Sequence, residues 1–391
     1  MKAFFSYFLI LFSLIFGVVL YDQFSLANFT YIDEIIALVL FCECARRRKI
    51  GPEFRKFILL SLFFLGYSVL KPNNVLSAII TDYIIIIKPF IAFYSVYYMG
   101  LNLNEGQKAG VKRIVILIAF FFLFGSIINY ELFVWTIPSH ASRFATMMSV
   151  LAFSYYYCSK REKSSLITTL LILAISLLSF RSKAYGFFAI ALVFSLFFNS
   201  EKFKLNIFSI MGIAASLMLV VFVSWEKVSF YFMEGTQSDY IEDYMARPAL
   251  YAGSVKVLQD YPLMGSGLGT YASFASDKYY SPIYSKYDLD KVHGLNEGGA
   301  FISDTFFPCL AQYGLIGISF FFYFFYHRYT EVRENKKKTG NVMWFKMSLL
   351  FLIFFLIEST SDSTLVQNRG VVMMMLFAMY IKDNKESKKI L

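Results

Sequence analysis

Residues 113–130 read RIVILIAFFFLFGSIINY, and from Ile114 to Ile128 no side chain in that run can ionise. A bilayer core is crossed by about 20 apolar residues in a helix, so the stretch reads as a membrane span. Outward from it, runs of near that length lie at 3–20, 30–45, 56–70, 78–100, 113–130, 144–159, 164–180, 184–199, 205–224, 307–326, 342–358 and 364–382. That makes twelve, several of them short. Of 391 residues, 58% are apolar, 20% aromatic and 16% charged, whereas soluble proteins carry about 25% charged residues. No water-facing surface could cover so much apolar side chain, which excludes a secreted disulfide scaffold, a nucleic-acid binder and a disordered chain. The expected fold class is an all-α polytopic membrane protein. Its expected division is nine spans in 1–224, a long polar loop at 225–306, three spans in 307–382 and a tail at 383–391.

The net charge of +10 is placed between the apolar runs, so it reports topology. With a cytoplasmic amino terminus, the inner turns hold Arg46-Arg47-Arg48-Lys49, Lys108 with Lys112 and Arg113, Lys160-Arg161 with Lys163, Lys202 with Lys204, Arg333 with Lys336-Lys337-Lys338, and Lys385 with Lys388-Lys389. The short outer turns hold Lys71, Arg143, Arg181, Lys183 and Arg369. Both termini and the bases thus fall inside, and 225–306 falls outside, where ATP, sugar nucleotides and nicotinamide cofactors are absent. The run Ala3–Leu20 has no A-x-A site directly after it and reads as an uncleaved span. Cys42, Cys44, Cys158 and Cys309 are too few and too scattered for a disulfide framework and read as small hydrophobes.

Two spans carry unexpected polarity. Asp82 and Lys88 interrupt 78–100, and the last span includes Gln367, Asn368 and Arg369. Such groups either face an internal site or sit at the interface and snorkel; both readings stand at this stage.

The loop 225–306 has eleven acids, six bases and ten tyrosines. Tyrosine suits both a membrane interface and the C–H faces and hydroxyl edges of sugars. Arg247–Asp260 (RPALYAGSVKVLQD) reads as a helix, with Pro248 in its first turn and Pro262 beyond its end. Helical spacing puts Arg247, Tyr251, Ser254 and Leu258 on one face and Lys256 about 180° away, which leaves Arg247 as the ligand-facing cation and Lys256 solvated. Gly265-Ser266-Gly267-Leu268-Gly269 is not a nucleotide fingerprint, since no strand precedes it; it reads as a tight turn back toward the membrane. Of three histidines, His327 falls inside while His140 and His293 fall outside, so a neutral base at the outer face would be His140, His293 or a carboxylate. Arg143, Arg181 and Lys183 break the positive-inside trend and suit either headgroups or a phosphate. No metal motif is present.

The order of these features resembles the O-antigen polymerase and O-antigen ligase superfamily. The resemblance rests on a long outer loop between the ninth and tenth of twelve spans. Within that loop an Arg247-headed helix runs into Asp260-Tyr261-Pro262-Leu263-Met264-Gly265-Ser266-Gly267, and Gln312-Tyr313-Gly314-Leu315-Ile316-Gly317 stands where the family has its "GliG" helix. Ser179-Phe180-Arg181 resembles the family's arginine at an outer helix end. Ligases place a His-Asn pair shortly before "GliG", where this chain has Ser303-Asp304, and His293 lies eleven residues further upstream. An aspartate there is more like the polymerase branch. The resemblance implies a GT-C-like architecture in a bacterial inner membrane. It also implies a polymerase that moves a growing glycan from undecaprenyl pyrophosphate to another lipid-linked repeat unit, with no cofactor, no metal and no nucleic acid. Arg181 and Arg247 would neutralise the pyrophosphate, with Lys183, Arg143 and Lys88 as further candidates. His293 or Asp304 would be the base, and Tyr251, Tyr271, Asn296 and Glu297 would line the glycan. A chain-length regulator and a flippase are the implied partners. The alternatives are a ligase acting on lipid A-core and, in another class, a lipid-linked oligosaccharide flippase; no half-to-half repeat of the transporter kind is visible.

Overall fold

The computed structural model describes residues 2–26, 31–160, 162–197 and 244–386, with isolated positions 218, 225 and 229. The expected ninth span at 205–224 lies outside them apart from Met218, as do Tyr231 and Tyr240. Every regular element among the described residues is helical. The amino-terminal part comprises α1 (Lys2–Leu14), which continues as a π-helical turn at Ile15–Val19, then α2 (Tyr21–Leu26), α3 (Ile32–Arg46), α4 (Pro52–Leu70), α5 (Leu76–Met99), α6 (Glu105–Ile128), α7 (Tyr130–Thr136), α8 (Ala141–Tyr157), α9 (Lys163–Ile175) and α10 (Ser182–Phe197). From residue 244 onward come α11 (Ala246–Asp260), α12 (Phe274–Lys278), α13 (Pro282–Lys286), α14 (Phe306–Cys309), α15 (Gly314–Thr339), α16 (Val342–Ser359) and α17 (Asn368–Glu386).

Local chemistry sets the ends. Asn104 and Gln107 form a reciprocal capping box at the start of α6, satisfying two amide donors that a helix leaves orphaned. Pro52 opens α4 from its first turn, and Gly340 ends α15 in the left-handed region.

Leu76–Met99, Glu105–Ile128, Phe306–Thr339 and Val342–Ser359 are long and apolar enough to cross a membrane. Phe4–Val19, Ser164–Ser179 and Ser182–Ser195 are shorter apolar helices. Other expected spans are also helices, but α3 and α8 are shorter and α4 and α17 carry charged turns. On α6, Leu117, Phe120, Phe121, Phe124, Ile127 and Ile128 all lie exposed on the outside. Removing such surface from water gains about 25 cal/mol per Å², so hydrocarbon is the solvent that suits this face.

The centre is α17. Val371 through Ile381 are buried on every side, packed among α3, α5, α8, α15 and α16, and its methionines fill irregular gaps. Trp344 Nε1 donates to the Tyr380 carbonyl at 2.6 Å, and the Tyr380 hydroxyl donates to the Phe153 carbonyl at 3.0 Å.

Residues 244–305 add a small second core around Leu250, Val257, Tyr271, Tyr284 and Leu295. A glycine-rich clasp locks it to the bundle. Asp82 of α5 is fully buried and accepts from the Gly269 amide at 2.9 Å and the Gln312 side-chain amide at 3.1 Å. Asn73 and Asn74 donate to the Ser266 and Gly269 carbonyls at 2.7 and 2.6 Å. The Gly267 amide reaches the Gln312 carbonyl at 3.0 Å, and the Leu315 amide the Pro262 carbonyl at 2.8 Å. The two motifs of the sequence resemblance therefore bind each other, and Asp82 is an internal acceptor rather than an interfacial group.

Gly265 sits at φ 74°, and a Cβ there would stand 2.2 Å from the Gln312 backbone. Left-handed backbone alone costs a non-glycine residue about 1–2 kcal/mol, and the contact adds to it. Gly265→Ala is expected to lower the melting temperature in detergent by about 2 °C or more; an unchanged value would mean that the clasp does not hold the loop.

Candidate functional site: the arginine-rich end of the bundle

The starts of α8, α10 and α17, the end of α16 and the approaches to α11 and α14 meet at one end of the bundle. They carry His140, Ser142, Arg143, Arg181, Lys183, Arg247, Asp304, Glu358, Asp362 and Arg369, with Asp22 from α2. Bases in an apolar bundle need anions, and the pairing is specific. Lys183 Nζ lies 2.7 Å from Glu358 and 2.8 Å from Asp362. Arg143 and Arg369 share the buried Asp22, at 2.6 and 3.3 Å. Arg247 Nε donates to Asp304 Oδ2 at 2.8 Å, and Tyr251, one turn further along α11, donates to the Thr360 carbonyl at 2.8 Å.

Arg181 differs. Among the described residues it has no carboxylate partner; its Nη2 lies 3.2 Å from His140 Nε2. His140 is the cap residue of α8, its Nδ1 accepting from the Ser142 amide at 3.2 Å, and its ring stands edge-on to Trp135. Burial first, then the charges of Arg181 and Arg143, hold its pKa below the ordinary histidine value, while Asp362 and Asp304 oppose the shift. At neutral pH the ring is therefore uncharged, and the positive charge of Arg181 stands uncompensated. Burial would by itself raise the Asp362 carboxyl, yet Lys183 and the Ser142 and Thr364 hydroxyls hold it down at about 2.

The structure thus gathers six of the residues singled out in the sequence: His140, Arg143, Arg181, Lys183, Arg247 and Asp304. It divides them by availability, because Lys183 is consumed by two carboxylates whereas Arg181 faces a neutral ring. Lys88 is buried in α5 at 2.5 and 2.6 Å from Asp33 and Glu34, so it does not snorkel and is taken up by carboxylates of its own. His293, Asn296 and Glu297 lie exposed on a turn of the loop, and no hydrogen bond or ion pair among the described residues ties them to the cluster. Tyr271 is fully buried, its hydroxyl donating to the Leu250 carbonyl at 2.7 Å, so it supports the loop core and has no free ring face. Lys256 is exposed, as its helical phase required. Asp22, Glu358, Asp362 and Arg369 were not singled out as site residues from sequence. The available signal was charge balance, since each outer base predicts an acid at a neighbouring helix end.

Residues 166–322 match the O-antigen ligase family model. That match brings in the O-antigen polymerase and ligase superfamily. Its members are membrane glycosyltransferase-like enzymes of surface polysaccharide synthesis. The matched segment contains Arg181, Lys183, Arg247 and Asp304, together with both halves of the clasp. No curated protein matches the chain.

Removing one partner of a buried ion pair costs about 3–5 kcal/mol. Lys183→Met, which strands Glu358 and Asp362, is expected to destabilise the purified protein by that amount in a thermal or denaturant melt. Arg181→Gln, which strands no carboxylate, is expected to change stability by less than about 1 kcal/mol. Equal losses in the two variants would contradict the division between structural and available cations.

Proposed function

We propose that the chain is a polysaccharide polymerase of the bacterial inner membrane. It transfers a growing glycan from undecaprenyl pyrophosphate to the terminal sugar of another lipid-linked repeat unit, at the periplasmic face. The observation that carries this reading is Arg181, with no carboxylate partner among the described residues, on the same His140 that feels the Asp304 of the Arg247–Asp304 pair, at the bundle end away from the basic turns. The family match over the same segment supports it.

The chemistry follows from the bonds involved. Pyrophosphate on the anomeric carbon is already a good leaving group, so the reaction needs no nucleotide at this face. As the C1–O bond breaks, its electron pair passes to the pyrophosphate, and fixed guanidinium groups stabilise that charge without reorganising. Arg247 exchanges its Asp304 partner for a phosphate oxygen, which frees the Asp304 carboxylate to take the proton of the acceptor hydroxyl. The acceptor oxygen forms the new bond to C1 with inversion. Tyr251 fixes α11 against the 360–363 turn and so aims Arg247.

The ligase reading uses the same leaving group with lipid A-core as acceptor, and it is favoured by the name of the matching family; the aspartate at 304 favours the polymerase. Deleting the gene and resolving the surface glycan on a gel separates them. Loss of the ladder with one repeat left on the core is the expected result. Core with no repeat and polymer accumulated on lipid would make the chain a ligase, and unpolymerised intermediates on the cytoplasmic face a flippase. In the complemented strain, Arg247→Ala is expected to reduce polymerisation by about 10²–10³-fold, the usual loss for one charge-stabilising donor. A normal ladder would overturn its role.

A further inference from the structure

Two atoms in the arginine-rich cluster can only donate, and one imidazole stands between them. The Ser142 backbone amide donates to His140 Nδ1 at 3.2 Å. That nitrogen must therefore carry the lone pair, so the neutral ring bears its proton on Nε2. Nε2 lies 3.2 Å from Arg181 Nη2, another obligate donor. A charged ring would add a conflict at Ser142, and the opposite neutral tautomer would only move the conflict there. In each protonation state at least one donor faces a donor, and an oxygen that accepts from both Nε2–H and Nη2–H removes the conflict.

We infer that His140 and Arg181 together form the seat of the anionic leaving group, with His140 acting as a hydrogen-bond donor through Nε2. The inference rests on the polymerase reading. It gives His140 a binding role and leaves the base role to Asp304.

The surroundings suit a phosphate or pyrophosphate group. Arg143, three residues along and 42% exposed at its side chain, shares a single carboxylate with Arg369. Those three groups keep one net positive charge and Arg181 adds a second, while Lys183 with its two carboxylates takes one away, so the rim keeps an excess of one positive charge. Burial against Trp135 and the flanking arginines keep the free ring neutral, while Asp362 and Asp304 oppose them. In the reaction the C1–O electron pair moves to a phosphate oxygen that accepts from Nε2–H and Nη2–H, and the acceptor proton goes to Asp304. Free pyrophosphate and a lipid-borne pyrophosphate offer the same oxygens, so the test distinguishes the two.

The full chain has three histidines, so ¹⁵N-histidine NMR on the purified protein in zwitterionic nanodiscs resolves His140, with His140→Asn as the assignment. Asparagine keeps an oxygen to cap α8 but lacks the ring donor. The expected results are an Nε2–H tautomer, movement of the His140 signal on adding inorganic pyrophosphate, and at least tenfold weaker pyrophosphate binding in both His140→Asn and Arg181→Gln. Undecaprenyl pyrophosphate is expected to compete. An Nδ1–H tautomer, or affinity within twofold of wild type in His140→Asn, overturns the assignment. Binding of inorganic pyrophosphate with no competition from the lipid overturns the leaving-group role. The ladder assay keeps the two readings apart. A wild-type ladder with unchanged affinity in His140→Asn sinks this inference alone, whereas a deletion strain that keeps its ladder sinks the polymerase reading.

Discussion

Lys183 sits between Glu358 and Asp362 at the mouth of an apolar bundle, and the rest of the site depends on that pairing. Three ionised groups with little water around them persist only if the charges interlock and the remaining lone pairs are satisfied. Ser142 donates to Asp362 at 2.6 Å, and Thr364 reaches Glu358 at 2.9 Å. This one knot therefore ties the starts of α8 and α10 to the end of α16 and the turn before α17. It also fixes Arg181, two residues before Lys183, on the same rim but outside the knot. Had Arg181 acquired a carboxylate of its own, the cluster would be a neutral structural network with no reason to hold an anion.

The second constraint is the placement of the loop. The Asp82 clasp anchors one side of residues 244–305 inside the bundle. Ser363 donating to the Ser303 carbonyl at 2.6 Å and Tyr251 donating to the Thr360 carbonyl anchor the other. Arg247 and Asp304 come from opposite ends of that segment and meet because both ends are pinned to the same turn. The opposite end of the bundle follows the same rule for buried bases. Arg328 is almost wholly buried and is held by Glu53 and Glu331, the latter at 2.6 Å.

The apolar runs made the all-helical, membrane-spanning class legible, because hydrocarbon imposes one length and one composition on any helix that crosses it. The start and end of α11 were legible from Pro248 and Pro262, and the opposed phases of Arg247 and Lys256 from helical geometry. What the sequence hid was partnership. Counting bases by the positive-inside rule identified Arg143, Arg181 and Lys183 as exceptions, but it ignores acids, and acids decide which exception is neutralised. Asp22 lies 347 residues from Arg369, and no local pattern encodes that contact. Tyr271 and Tyr251 look alike in sequence; one packs under Gly253 in a core, and the other reaches the 360–363 turn. Asp82 looked like a cost within a span, and proved to be the acceptor that the glycine turn requires.

The central claim is that glycosyl transfer from a lipid pyrophosphate takes place at Arg181 and Arg247. Its most direct test is the purified protein in nanodiscs, supplied with undecaprenyl-pyrophosphate-linked repeat units and no other component, with the products resolved by chain length. The account predicts lengthened lipid-linked glycan and released undecaprenyl pyrophosphate from the wild type, with neither from Arg181→Gln or Arg247→Gln at matched folding. Equal product from the wild type and the arginine variants would contradict it.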